Sequence, residues 1–131
     1  MNFKKIMSAF LIVGISIFPA ISYAYSSGSF AYDFKYKLTS RDWKFDDNKK
    51  HLKMETTTTS TGGVETFKVE LYRISGGKAN FISDRTVRTT VNTTREFGWT
   101  GVNGGTYRFV MKKSDNGKYT VGSGKIYKSD N

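Results

Sequence analysis

The side chains able to do chemistry in this chain are mostly cations. Lysine and arginine together number 21 against 11 acidic residues, a formal net charge of +10, with one histidine and no cysteine. A Cys–His pair and a cluster of histidine metal ligands are therefore excluded, and a Ser–His–Asp triad would depend on His51 alone. No spacing singles out two carboxylates for acid–base hydrolysis. The sequence predicts a protein that is not an enzyme and that has no cofactor or metal.

The basic residues predict a surface that binds an anion. A strongly cationic domain attracts anionic polymers and membrane surfaces over long distances. The partners that fit are an anionic envelope polymer, a membrane surface or an acidic glycan; intracellular nucleic acid is disfavoured because no recognised binding motif accompanies the charge. The alternative is that outward lysines only keep the protein soluble and protect sheet edges. The candidate anion-binding residues are Lys35, Lys37, Arg85, Arg88, Arg95, Arg108, Lys112, Lys118 and Lys125.

The two tryptophans are candidates for a different kind of binding. Trp43 and Trp99 could stack on a sugar ring if their faces were exposed. Large aromatic side chains also fill the cores of small β proteins. The core interpretation is favoured for both residues.

The first 24 residues predict where the protein goes. Lys4 and Lys5 precede an apolar run, and Ser22 and Ala24 are the small residues expected before a signal-peptidase site. The apolar run is shorter than the roughly 20 residues that a membrane-spanning helix needs. We therefore expect cleavage between Ala24 and Tyr25, release of a secreted protein of bacterial type, and no stable transmembrane segment after cleavage.

Beyond the signal peptide, residues 25–131 have a strand-like pattern. Even positions from Phe30 to Leu38 are apolar and alternate with polar residues, a period of two that places one set on one face. Short alternating runs separated by glycine-rich or polar turns recur along the chain. The pattern predicts one domain, an all-β antiparallel β-sandwich of seven or eight strands, immunoglobulin-like or jelly-roll-like. A small closed β-barrel is the alternative.

Turn signals predict which strands are neighbours. The polar cluster after Phe45 suggests a hairpin with the strand that starts near Leu52, and Ser75-Gly76-Gly77-Lys78 suggests another turn. Asp115-Asn116-Gly117 suggests a final hairpin in which Met111 faces Val121, with Gly122 and Gly124 on the outer face.

These features favour a secreted, non-enzymatic protein that binds an anionic envelope or extracellular component through a basic sheet face. Two alternatives stay open. Small size and positive charge also suit an antimicrobial, bacteriocin-like or toxin-like protein. Thr-rich strands and aromatic residues also suit a carbohydrate-binding or extracellular matrix protein.

Overall fold

The protein folds into two facing β-sheets. A computed structural model describes residues 24–25, 27–47 and 49–130. The strands, in chain order, are β1 Ala24–Tyr25, β2 Ser27–Phe34, β3 Lys37–Thr39, β4 Trp43–Phe45, β5 His51–Ser60, β6 Glu65–Ser75, β7 Lys78–Thr89, β8 Thr93–Trp99, β9 Gly105–Lys112 and β10 Thr120–Ser129.

The first sheet has the order β1-β4-β9-β6-β7, with β3 also paired to β9, and the second sheet has the order β2-β10-β5-β8. Their pairs are antiparallel except for the short parallel pair of β1 with β4. The predicted antiparallel sandwich is confirmed. The closed-barrel alternative is wrong, because in the described part of the chain each sheet keeps its own edge strands.

Aromatic and aliphatic side chains from both sheets fill the space between them. Phe30 of β2 lies 4.9 Å, centroid to centroid, from Phe109 of β9, and Phe34 of β2 lies 5.9 Å from Phe67 of β6. All four residues are buried. These alternating aromatic positions therefore face the core, as predicted.

The strand predicted from Phe30 to Leu38 is divided in the structure. β2 ends at Phe34, and Lys35 and Tyr36 form a bend that carries the chain from the second sheet to the first. Leu38 of β3 is buried again, but Tyr36 is 62% exposed. The prediction that Tyr36 shares the inner face with Phe34 is wrong, because the change of sheet between them ends the period of two.

Two of the predicted hairpins are wrong for a related reason. β4 and β5 lie in opposite sheets, and so do β9 and β10. The chain does turn at Asp115-Asn116-Gly117: Gly117 has a φ of +80°, and its N–H donates to Asp115 Oδ1 at 2.9 Å. The turn nevertheless belongs to a crossing between the sheets. By contrast, the turn at Ser75-Gly76-Gly77-Lys78 does join neighbouring strands, since Ser75 pairs with Lys78.

The glycines of β10 lie on the inner face, so the prediction that they face outward is wrong. Gly122 pairs with Tyr32 of β2, and Gly124 pairs with Phe30. A Cβ atom on Gly122 would lie 2.2 Å from the Thr57 carbonyl oxygen and 2.4 Å from the Tyr32 ring. Glycine is needed at this position because the neighbouring ring and backbone occupy the space of a side chain.

The predicted signal peptide lies largely outside the described residues, which begin at Ala24. Ala24 and Tyr25, on either side of the predicted cleavage bond, form β1 and pair with Lys44 and Phe45 of β4. Cleavage between them stays a prediction. Within the described residues, no helix has the length and apolar character required to cross a membrane.

Candidate anion-binding site

Three lysines form a row across the outer face of the first sheet. In the strand register, Lys37 of β3 is opposite Lys112 of β9, and Lys112 is opposite Lys68 of β6. Directly opposed residues in antiparallel strands have Cβ atoms about 4.5–5.5 Å apart, and like charges in such pairs destabilise the sheet. The row thus concentrates positive charge, and the repulsion among the lysines lowers folding stability. A bound anion would reduce that repulsion.

One carboxylate partly balances this row. The Lys112 ammonium lies 3.1 Å from Glu70 Oε1, and the Tyr72 hydroxyl donates to the same oxygen at 2.9 Å. Burial acts to raise the pKa of Glu70, but these two hydrogen bonds and the positive charges of Lys112 and Lys68 together lower that pKa overall. The hydrogen bond to Glu70 raises the pKa of Lys112. Both groups are therefore charged at neutral pH.

A groove of about 420 Å³ lies beside the lysine row. No acidic side chain lines it, and the aromatic ring of Tyr36 stands at its edge with most of its surface exposed. An exposed ring beside cations and hydroxyls is suited to a ligand that carries both a negative charge and an apolar or sugar face. We call this feature the lysine groove. Its lining residues are Tyr36, Thr66, Phe67, Lys68, Thr86, Lys112, Lys113 and Ser114.

Four of the nine predicted residues share this outer face. Lys37 and Lys112 belong to the lysine row, and Arg88 of β7 is exposed opposite Thr66, which lines the groove. Arg108 is on the same face, but its guanidinium makes two hydrogen bonds to the Asp42 carboxylate, at 2.7 and 3.2 Å. Arg108 is thus paired with Asp42 as Lys112 is with Glu70, whereas Lys37 and Arg88 form no salt bridge within the described residues.

Three more predicted residues lie elsewhere. Lys35 is in the bend after β2, with its ammonium 5.8 Å from the centroid of the Tyr119 ring. Lys118 is exposed in the connection before β10. Lys125 is on the outer face of the second sheet, opposite Glu55 in the register. The structure does not bring these three lysines to the lysine groove.

The last two predicted residues bind the edge strands of the two sheets to each other. Arg85 of β7 donates from Nε to the Gly98 carbonyl of β8 at 2.9 Å. In the opposite direction, Arg95 of β8 donates from Nε to the Arg88 carbonyl of β7 at 2.8 Å. These reciprocal bonds give both arginines a structural role at the open side of the sandwich.

The outer face of the second sheet has a different character. Lys125, Glu55 and Glu96 follow one another across β10, β5 and β8, so this row has one cation beside two opposed carboxylates. The Tyr127 hydroxyl donates to Glu96 Oε2 at 2.6 Å, and this hydrogen bond, with burial, raises the pKa of Tyr127 to about 12. The row of opposed lysines is therefore a feature of the first sheet, whose outer face also carries the opposed pair of Glu70 and Asp84.

Both tryptophans are core residues. Trp43 is 1% exposed and Trp99 is 2% exposed. The Trp43 ring packs against Phe109 at 6.5 Å, and the Trp99 ring packs edge-on against Phe97 at 6.0 Å. Neither ring offers a free face to a sugar, as the core interpretation requires.

Sequence reasoning missed two contributors to the lysine groove. Lys68 alternates with buried Phe67 and Val69, so its outward direction was readable from the pattern. Its position beside Lys112 could not be predicted from the pattern, because that position depends on the pairing of β6 with β9. Tyr36 was assigned to the core, and only the change of sheet at residues 35–36 brings it to the groove.

Among the described residues, no group of three or more histidine, aspartate or glutamate side chains is placed to hold a metal ion. The expectation that the protein is not an enzyme stays a prediction.

No protein-family model matches the chain, and no curated protein matches it significantly. Solved structures do resemble its fold. A crystal structure of tripeptidyl peptidase 2 matches 83% of this chain at 8% identity with a TM-score of 0.61, and the chain spans 10% of the peptidase. A Yersinia pseudotuberculosis-derived mitogen matches 80% of the chain, which spans 87% of the mitogen, at 8% identity and a TM-score of 0.47. A structure of the infectious bursal disease virus Gx strain covers 89% of the chain, which spans 38% of the viral chain, at 11% identity and a TM-score of 0.43. The match to tripeptidyl peptidase 2 supports a shared fold alone, because function depends on individual sites.

Proposed function

We propose that the protein is a secreted, non-enzymatic binding protein that recognises an anionic polymer of a cell envelope or extracellular matrix through the lysine groove. The observation that carries this proposal is the row of three opposed lysines, Lys37, Lys112 and Lys68, beside an open groove that no acid lines. Of these three lysines, only Lys112 has a carboxylate within salt-bridge distance among the described residues.

The asymmetry between the two sheets supports the same function. A protein that used lysine only for solubility would have no reason to place three lysines directly opposite one another. The second sheet separates Lys125 from other cations with Glu55. Charge on the first sheet is thus arranged against stability, which is typical of a binding surface.

Binding to envelope fractions and to a purified acidic polysaccharide tests the proposal. The double substitution Lys37→Gln with Lys68→Gln removes two cations and leaves the pair of Lys112 with Glu70 intact. Exposed ion pairs contribute about 0.2–1 kcal/mol each. The double variant should therefore bind roughly 2–30-fold more weakly. Binding of the unmodified protein should also weaken steeply as salt rises.

The matched control removes the same charge from the other sheet. Lys53 and Lys125 both lie on the outer face of the second sheet, and Lys53→Gln with Lys125→Gln should leave affinity nearly unchanged. Equal losses in both double variants would show that only net charge matters and would contradict a site in the groove. Salt-insensitive binding would favour the carbohydrate alternative, and growth inhibition or dye leakage from anionic vesicles would favour the antimicrobial alternative.

A further inference from the structure

A second pocket lies at one end of the sandwich, where β6 and β7 approach the loop after β8. It has a volume of about 240 Å³, and none of its lining residues lines the lysine groove. The lining includes two arginines from adjacent strands, Arg73 of β6 and Arg85 of β7, together with Trp99 at the end of β8. No aspartate or glutamate lines it. We call it the two-arginine pocket.

Both guanidinium groups are held in place by neutral partners. Arg73 donates from Nη1 to the Tyr107 hydroxyl at 2.9 Å and from Nη2 to the Gly104 carbonyl at 3.1 Å. Arg85 donates from Nε to the Gly98 carbonyl and from Nη1 to Ser83 Oγ, both at 2.9 Å. These contacts orient the two arginines without neutralising them.

Neither arginine forms a salt bridge within the described residues. The hydrogen bonds of Arg85 use Nε and Nη1, so the two N–H groups on Nη2 remain for another acceptor. Each guanidinium also lies over an aromatic ring, with its central carbon 5.5 Å from the centroid of Tyr107 or of Trp99. Two pre-oriented cations that share one cavity and lack a counter-ion favour an anion between them.

Trp99 of the pocket wall carries a donor without a partner. Trp99 is 2% exposed, and its Nε1 is buried without a hydrogen-bond partner. A buried donor left without a partner is destabilising and is rare in native proteins. Trp99 lines the two-arginine pocket and its ring lies beside the Arg85 guanidinium, so its indole signal is a reporter of an anion bound there.

We propose that the two-arginine pocket binds a compact oxyanion, a carboxylate or a phosphate, carried by a ligand of about the size of a monosaccharide. Arg73 and Arg85 supply the charge, and Trp99 forms part of the pocket wall. The volume equals that of about eight liquid waters at roughly 30 Å³ each, which is small for a drug-sized ligand and sufficient for a sugar acid or sugar phosphate. This site does not depend on the lysine groove.

The test uses sodium phosphate, sodium glucuronate and uncharged glucose as probes. The chain has two tryptophans, so its ¹H–¹⁵N spectrum contains two indole signals, which Trp43→Phe and Trp99→Phe assign. We expect phosphate, glucuronate or both to shift the Trp99 indole signal saturably, and glucose to have no such effect. A response to phosphate alone identifies a phosphate ligand, and a response to glucuronate alone identifies a carboxylate.

Variants separate the pocket from general charge effects. Arg73→Gln removes one cation and should weaken binding by about 10–100-fold, the usual value of a hydrogen bond to a charged group. Lys68→Gln, a change of equal charge in the lysine groove, should leave the affinity unchanged. Arg73→Lys keeps the charge but loses the planar fork, and it replaces Arg73→Gln if thermal unfolding shows that the latter is not folded.

Three results would overturn the proposal. One is the absence of saturable binding of phosphate or glucuronate with a Kd below about 10 mM. Another is an equal response to glucose, which would indicate a neutral sugar site. The third is a saturable shift that Lys68→Gln weakens as much as Arg73→Gln does, because this would place the anion in the lysine groove.

Discussion

Replacing Lys113 with methionine should destabilise the protein by about 3–5 kcal/mol, the usual cost of breaking a buried ion pair. The Lys113 ammonium lies 3.5 Å from Glu65 Oε1, and the exposed fractions of the two side chains are 0% and 10%. Asn116 joins the network, because it accepts from Lys113 Nζ at 3.2 Å and donates to Glu65 Oε1 at 2.5 Å. The substitution leaves the Glu65 carboxylate buried with only Asn116 as a partner.

Urea and thermal unfolding measure this loss. For a domain of about 100 residues, each kcal/mol lowers Tm by roughly 4 °C or more, so we expect a fall of at least about 12 °C. Glu65→Gln should be destabilising for the same reason, because it leaves the Lys113 ammonium without a counter-charge. Combining Lys113→Met with Glu65→Leu should recover most of the loss, since an apolar pair of similar volume can replace a buried ion pair.

The control is Lys118→Met, which removes an exposed lysine from the same connection and should change stability by about 0.5 kcal/mol or less. In a simple β9–β10 hairpin, Lys113 would stand beside the turn and would not meet Glu65 of β6. If Lys113→Met were as mild as Lys118→Met, both the buried pair and the crossing between sheets would be refuted.

Three further predictions concern the last strand. Gly122→Ala should lower the free energy of unfolding by about 1–3 kcal/mol, because the new Cβ atom would overlap a ring and a carbonyl. The control Ser123→Ala, at an outward-facing position, should lower it by about 0.5 kcal/mol or less. Equal losses would contradict the inner position of the glycine. The Tyr127 phenol should ionise near pH 12 in absorbance titrations, so the stability that it contributes persists to pH 10.0 and declines above it. Glu96→Gln should return the pKa of Tyr127 toward 10.0; an unchanged pKa in this variant would show that Glu96 is not its partner. Burial lowers the pKa of Lys128 below 10.5, so as pH approaches 10.5 the folded protein releases a proton that the unfolded chain still holds. Stability should therefore rise as pH increases up to 10.5. If Lys128→Met shows the same rise, another group causes it.

The pattern of inward and outward residues was largely predictable. Phe30, Tyr32 and Phe34 are buried as the period of two predicts, and the Gly76-Gly77 turn joins neighbouring strands. Alternation is a local consequence of strand geometry, since successive side chains point to opposite faces. It needs no knowledge of the rest of the fold.

Strand pairing was less predictable. The sequences after Phe45 and around Gly117 contain genuine turn signals, yet each connects two different sheets. A turn sequence reverses or redirects the chain, but whether the next strand pairs with the last one depends on the core that both must cover. The exposed position of Tyr36 and the inner position of Gly122 both follow from pairings that no local pattern reveals.

The sequence alone determined the cationic character of the protein, its lack of cysteine, the expectation of export and the alternation that makes a sandwich, because each depends on composition or on neighbouring residues. Only the tertiary structure decided which cations meet. Lys37, Lys68 and Lys112 come together through the pairing of three strands, and Arg73 and Arg85 through the pairing of β6 with β7. The physical reason is that a binding site requires side chains distant in sequence to share one surface, and long-range strand register sets that arrangement.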